Sequence, residues 1–280
     1  MNKGDAITTS SAHTPPSVAI AVAAHKPYRM PSDAMYVPVQ AGALGRDTIP
    51  GFARDDECGA AGEGLSALNP HLSELTVAYW AWKTLCAAPD APASPDVIGL
   101  VHYRRHFAGS GDFGTLTTVE ARELLAQAPV ILPRQRNYVI ESVGSHYAHT
   151  FRQEHLDLLL ATVGDLAPEY APALRSRLAG TKAHMFNMFV MRRDLFDAYM
   201  TWLFPIIGQA EREFDYAGLS AFEARCPGRL SEFLLDTWLD TNAIPSIERP
   251  VKDMEPVNWA KKGSAFLAAK LFNKKYDQSF

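Results

Sequence analysis

The stretch VIGLVHYRRHF, residues 97–107, decides the fold class. Val97 to Val101 is a short unbroken apolar run, and His102, Tyr103, Arg104, Arg105 and His106 follow it at once. Such a run is what a strand buried on both faces presents, as in a parallel sheet covered by helices. A second run, Val18 to Ala23, is closed by His25-Lys26-Pro27. In open α/β sheets ligands bind outside the carboxyl ends of the strands. Both runs therefore deliver basic and aromatic residues to the edge where a ligand would lie.

Helical signals surround these runs. Asn69-Pro70 opens a helix expected to reach Cys86, with Asn69 as N-cap and Pro70 in the first position. Its Leu72, Leu75, Val77, Trp80 and Leu85 read as core by their spacing. The pattern predicts further helices over 118–126, with Thr118 as N-cap, and over 150–163, 168–178, 193–213 and 230–239. It predicts strands over 130–132, 184–191 and 244–250, and a loop with an embedded strand over 133–147. Residues 30–63 are rich in Pro, Gly and Asp and read as one long irregular segment. Strands alternating with helices give an α/β class, a Rossmann-type, mostly parallel sheet flanked by helices. The expected division is a disordered tail over 1–16, one large domain over 17–252 and a basic amphipathic segment over 253–280.

Composition removes several function classes. The net charge of −4, from 27 basic and 31 acidic residues in 280, argues against a general nucleic-acid binder. Cys58, Cys86 and Cys226 are scattered, so neither a zinc site nor a disulfide framework is suggested, and a reducing cytoplasm fits. No stretch is long and apolar enough to span a bilayer, and Val18 to Ala24 is too short for a signal-peptide core. No GxGxxG, Walker loop or GxSxG elbow occurs. His146, His149 and His155 do not form HExxH, and no Asp-x-Asp ends a strand; Asp55-Asp56 in the long loop is a weak substitute.

Four groups carry candidate chemistry. Consecutive residues leaving a strand point to opposite sides, so one of Arg104 and Arg105 can face a cleft while the other braces the structure. Arginine suits a pyrophosphate because its planar fork binds phosphate oxygens in pairs and stays charged; the plain alternative is a structural salt bridge. Glu74 and Lys83 are either site groups or ordinary helix-surface charges. Asn187, inside an apolar run, either satisfies neighbouring backbone or contacts a ligand. Glu232 either relieves the free N–H groups of a helix start or serves as a catalytic carboxylate. Separately, residues 259–276 combine five lysines with an apolar stripe, which either lies on an anionic membrane or packs on the domain.

Taken together, AVAAHKPYRMP, YVPVQAGA, DDECG with GEGLSALNPHLSELTVAYWAWK, IGLVHYRRHF, FNMFVMRRDLFDAYMTWLFPII and GRLSEFLLDTWL run in order from Val18 to Pro250. They resemble the bacterial capsular and exopolysaccharide glycosyltransferases marked by an HYRR signature, a domain-of-unknown-function family. The resemblance implies a GT-A-like fold with the donor at the strand ends. It implies transfer of a sugar from a nucleotide-sugar donor, such as a UDP-sugar, to a polysaccharide or polyprenyl-linked acceptor in capsule, exopolysaccharide or O-antigen synthesis. Some members are similar to galactofuranosyltransferases, so galactofuranose is one candidate sugar. Where the family often carries asparagine ahead of the serine of the second motif, this chain has Gly64.

GT-A enzymes usually hold a divalent metal such as Mn²⁺ on an Asp-x-Asp; here His102 to Arg105 take the comparable place, so no metal site and no cofactor are expected. The implied donor-binding residues are His25, Lys26, Ser66, Asn69, Thr76, Tyr103, Arg104, Arg105 and Asn187. The implied catalytic residues are Glu232, Glu74 and His102, with Glu232 preferred as base and Glu74 for sugar hydroxyls. The expected location is the cytoplasm, at the inner face of the plasma membrane through 259–276. Two other readings compete: a nucleotide-sugar hydrolase, and a non-catalytic sugar- or partner-binding module of a polysaccharide assembly complex.

Overall fold

The two apolar runs lie side by side at the centre of a sheet. The computed structural model describes residues 17–58, 64–86 and 94–255. The tail 1–16, Gly62 and Glu63 of the second motif, most of the connector after Cys86 and the basic segment 259–276 lie outside the described residues.

The strands are β1 (Val18–Ala24), β2 (Tyr36–Gln40), β3 (Ala53–Arg54), β4 (Val97–His102), β5 (Arg105–Phe107), β6 (Val130–Pro133), β7 (Arg136–Asn137), β8 (Lys182–Ala183), β9 (Phe189–Arg192), β10 (Ile247–Arg249) and β11 (Val251–Asp253). The main sheet runs β10-β6-β9-β4-β1-β2-β3, with β5 between β4 and β11, and β7 pairs with β8 as a separate ribbon. β1 is parallel to β2 and β4, β2 to β3, and β6 to β10. β9 is antiparallel to both β4 and β6. It follows that β4 and β6 run the same way and end on the same edge.

The helices are α1 (Asn69–Leu72), α2 (Leu75–Ala81), α3 (Thr118–Leu125), α4 (Val143–Thr150), α5 (Gln153–Leu166), α6 (Ala171–Ala179), α7 (Arg193–Glu213), α8 (Cys226–Leu230) and α9 (Leu234–Thr241). Period-2 alternation divides the sheet's side chains between two cores. Ala21, Ala23, Ile98, Leu100, Phe189 and Met191 pack with the residues of α2 and α4 to α9. Ile20, Val22, Val97, Val101 and Val190 pack with Leu116, Phe107 and Ala121 of α3 on the opposite face. Both faces are covered, which is why the strands read as continuous apolar runs. Fully buried side chains such as Phe196, Tyr199 and Leu203 contribute about 1.5–3 kcal/mol each. Among the described residues no helix is long and apolar enough to cross a membrane.

Several local expectations are corrected. The segment 30–63 holds β2 and β3; Pro38 stands inside β2 opposite Val22 of β1, so the strand lacks one donor and its sequence is disguised. The helix expected from Asn69 to Cys86 breaks at Ser73, whose φ of 54° is left-handed. Asn69 is not its N-cap: it is already helical, and its side-chain N–H donates to the Ser73 carbonyl at 2.8 Å. After α2 the chain widens into a π turn over Trp82–Cys86. The cap of α3 is Thr117, in a reciprocal box with Glu120, while Thr118 bonds Asp33. The strand expected over 184–191 shrinks to β9, because Phe186 and Asn187 take positive φ of 82° and 49°. The helix expected over 230–239 is α8, a tight turn over Ser231–Phe233, and α9.

Candidate functional site

Register brings three chain exits together. Ala24 of β1 pairs with Gln40 of β2, and Ala23 pairs with His102 of β4. Residues from 25, from 41 and from 103 onward therefore leave the sheet side by side.

One wall of this edge is cationic. His25 is exposed and meets Tyr103 edge-on at 4.9 Å between ring centroids. Desolvation, then Arg104, Lys26, Arg46 and Arg225, hold His25 below its ordinary proton affinity, so five basic groups share one field. Lys26 lies 5.3 Å from the Tyr103 ring centre and pairs with Glu255 at 2.8 Å in a half-exposed, solvent-screened bridge. Arg104 is partly buried, and its guanidinium has no hydrogen bond or ion pair among the described residues; its carbonyl accepts from the Met254 N–H at 2.8 Å. Arg105 is the bracing member: its Nε is 3.6 Å from Asp253 and its guanidinium stacks 4.5 Å over Phe186. Burial and the neighbouring Arg104 lower its proton affinity, yet an arginine keeps its charge under such loads.

The facing wall is acidic. The break at Ser73 starts a new helix, and Glu74 stands at its N-cap position. Glu232 stands in the turn between α8 and α9. α8 and α1, which precede these two carboxylates in the chain, meet closely because residue 228 is glycine: a Cβ there would stand 2.9 Å from the Leu72 carbonyl oxygen. Desolvation first and the Glu74 charge second lift the Glu232 carboxyl to about 7, against opposing pulls from the Phe186 backbone N–H, Arg229 and Arg105. His102 sits between the walls. Desolvation holds it below its usual value while Glu74 pulls upward, and its Nε2 is buried without a partner.

Asn187 ties the acidic wall together. Its side-chain N–H groups donate to Glu74 at 2.7 Å and to the Gly228 carbonyl at 3.1 Å, and its oxygen accepts from Ser231 Oγ at 3.0 Å. Asn187 therefore spends its amide on the protein and aims Glu74. Ser66, Asn69 and Thr76 gather around another group, Asp55. That fully buried carboxylate accepts from the Gly42 and Ala43 backbone N–H groups, from Ser66 Oγ at 2.5 Å and from Thr76 Oγ1 at 2.6 Å. Asn69 donates to Thr76 at 3.1 Å. Together they shape the loop leaving β2. Asp56 is occupied by Arg54 in a two-point pair, so neither member of Asp55-Asp56 is left open.

The structure gives roles that the sequence did not: Asp55, weighed there only as half of a weak Asp-x-Asp substitute, organises the β2 loop, Arg46 and Arg225 join the cationic field, and Ser231 enters the Asn187 network. The pair Asp55-Asp56 was the one visible signal. Arg229, beside Glu232, has both terminal nitrogens buried without acceptors and lies between Phe151 and Phe222 at 4.4 and 4.1 Å. A cavity of about 460 Å³ lies elsewhere, among Gly144, His149, Gln153, Leu160, Arg175 and Leu178 in the helical layer. None of the strand-end residues lines it, and its walls lack the opposed charges found at the strand ends. Among the described residues no three His, Cys, Asp or Glu side chains are grouped to hold a metal ion.

Chemically, a cationic rim opposite a carboxyl group near neutrality can hold a phosphoanion and exchange a proton beside it. The family model described as "Domain of unknown function (DUF4422)" matches residues 19–243. Among solved structures the chain is similar to WbbM, a bifunctional glycosyltransferase solved in its apo form, with a TM-score of 0.74 and 23% identity. The alignment covers 86% of this chain and 46% of that one, so this chain spans about half the length of that structure. The likeness shows the fold alone, a GT-A-like α/β architecture. No curated protein matches the chain.

Proposed function

The chain belongs to the DUF4422 family, a domain family of unknown function, and from that premise we propose that it is a glycosyltransferase moving a sugar from a nucleotide-sugar donor to a glycan or polyprenyl-linked acceptor. The observation that carries this reading is the pairing of the Arg104-centred cationic field with the Glu74–Glu232 carboxylates across one strand edge. Donor diphosphate lies against His25, Lys26, Tyr103, Arg104 and Arg105, whose charge stabilises the departing nucleoside diphosphate as the glycosidic bond breaks. Glu232, with its carboxyl lifted to about 7, takes the proton of the acceptor hydroxyl. Glu74, aimed by Asn187, holds sugar hydroxyls, and His102 lies between the two substrates. Ser66, Asn69 and Thr76 act on the donor through Asp55 and the loop it shapes. The cations supply the charge that a divalent metal provides in other GT-A enzymes, and turnover is expected to persist in EDTA. Capsule, exopolysaccharide or O-antigen assembly is the proposed setting, and UDP-galactofuranose one donor to try.

A panel of nucleotide sugars, scored by thermal shift and by nucleoside diphosphate release with and without acceptor, tests the proposal. Release that needs acceptor supports transfer; release without it supports the hydrolase reading; binding with no release supports a binding module.

A further inference from the structure

Val139 and Ile140 are the most exposed large apolar side chains among the described residues, at 73% and 79%. They are adjacent, so hydrophobic surface is concentrated at one projecting point. The point is built, not loose. Tyr138 N–H donates to the Thr181 carbonyl at 2.8 Å, Val139 N–H to Asn137 Oδ1 at 2.9 Å, and Val143 N–H to the Gly180 carbonyl at 2.8 Å. Ile140 N–H closes back on the Tyr138 carbonyl at 2.8 Å, with Val139 at φ 63° between them. That is the rare, strained sense of a three-residue turn, and a β-branched residue is poorly suited to it. The strain persists where the surrounding bonds over-determine it, and it leaves both aliphatic side chains in water.

The flanks are basic. Arg134 and Arg136 are exposed on the approach from β6, and Lys182 is exposed on β8, which pairs with β7 beneath the tip. Glu141, the nearest acid in sequence, faces His146 and His149 at 3.1 and 3.8 Å. An apolar point with a collar of long cationic side chains matches an anionic bilayer surface, where aliphatic groups enter the acyl boundary and cations stay among headgroups. The tip follows β6, which ends on the same edge of the sheet as β4, and Tyr138 lies within electrostatic reach of Glu232.

We propose that the 134–140 tip docks the protein on an anionic lipid surface and turns the strand-end site toward it. This docking stands independently of the transferase reading.

Because Cys58, Cys86 and Cys226 are buried, an Ile140→Cys variant accepts an environment-sensitive thiol dye at one place. Adding vesicles of phosphatidylethanolamine with phosphatidylglycerol is expected to blue-shift the dye, and nitroxide-labelled lipids to quench it. Phosphatidylcholine vesicles alone, and the same dye on Asp165→Cys of α5, are expected to give no response. In flotation of the unlabelled full chain, Val139→Ser with Ile140→Ser should lose most binding, and Arg134→Gln with Arg136→Gln should weaken it about thirtyfold. Flotation with an unmoved dye at position 140, no flotation at all, or equal responses on phosphatidylcholine or from Asp165→Cys would each overturn the proposal.

Discussion

At Glu232, burial and the neighbouring Glu74 charge bring a carboxyl group to about 7, where loss and gain of a proton are balanced at neutral pH. Glu232→Gln is expected to lower turnover about 10²- to 10⁴-fold with the donor KM little changed. For the proposed transfer by the wild-type protein the acid limb of kcat/KM should fall near pH 7; a limb near 4.5, the value of an exposed glutamate, would remove Glu232 as the base. Asn187→Ala releases Glu74, leaves the Gly228 carbonyl and Ser231 Oγ only their mutual bond at 2.8 Å, and puts alanine at a left-handed φ of 49°, so it should cost about 1–3 kcal/mol in denaturant unfolding as well as activity. Glu74, Glu232 and the paired arginines were legible as candidates because charge beside apolar strand ends or helix starts stands out. Asp55 was not, since its four donors come from three separate segments and only folding assembles them.

Elements set the distance between the two walls. α8 approaches α1 through Gly228, and a methyl group there would press on the Leu72 and His71 carbonyls. Gly228→Ala should therefore shift α8, cost about 1–3 kcal/mol and reduce turnover more than donor affinity, because Glu232 moves while Arg104 does not. A variant with wild-type turnover would show that the α8–α1 spacing is immaterial. β1 and β4 were readable because burial on both faces leaves an unbroken apolar run. β2 was hidden by Pro38, and the break at Ser73 by an otherwise regular helical pattern. That break rests on a local bond from the Asn69 amide and a tertiary one, an Arg225 Nε–H donated to Ser73 Oγ at 2.9 Å, neither of which periodicity can report.

Across the whole molecule, Glu232 couples folding to pH. Between about 4.5 and 7 the folded chain holds a proton that the unfolded chain has released, so its contribution is full below 4.5 and is lost as pH rises through about 7. Relative to Glu232→Gln, wild-type stability should fall over that window by on the order of 3 kcal/mol, measured by urea unfolding at several pH values. The α/β class followed from strands alternating with helices. The strand order did not, because β9 inserts antiparallel between β4 and β6 through contacts distant in sequence. The measurement closest to the central claim is calorimetric titration of nucleoside diphosphates into wild type, Arg104→Ala and the Arg104→Ala, Arg105→Ala double variant. At least one nucleotide should bind the wild type and lose about tenfold to a hundredfold in affinity with the first substitution, in step with charge-assisted bonds of about 1.5–3 kcal/mol. Equal affinity in all three proteins, or no binding by the wild type, would contradict a diphosphate held at the strand ends.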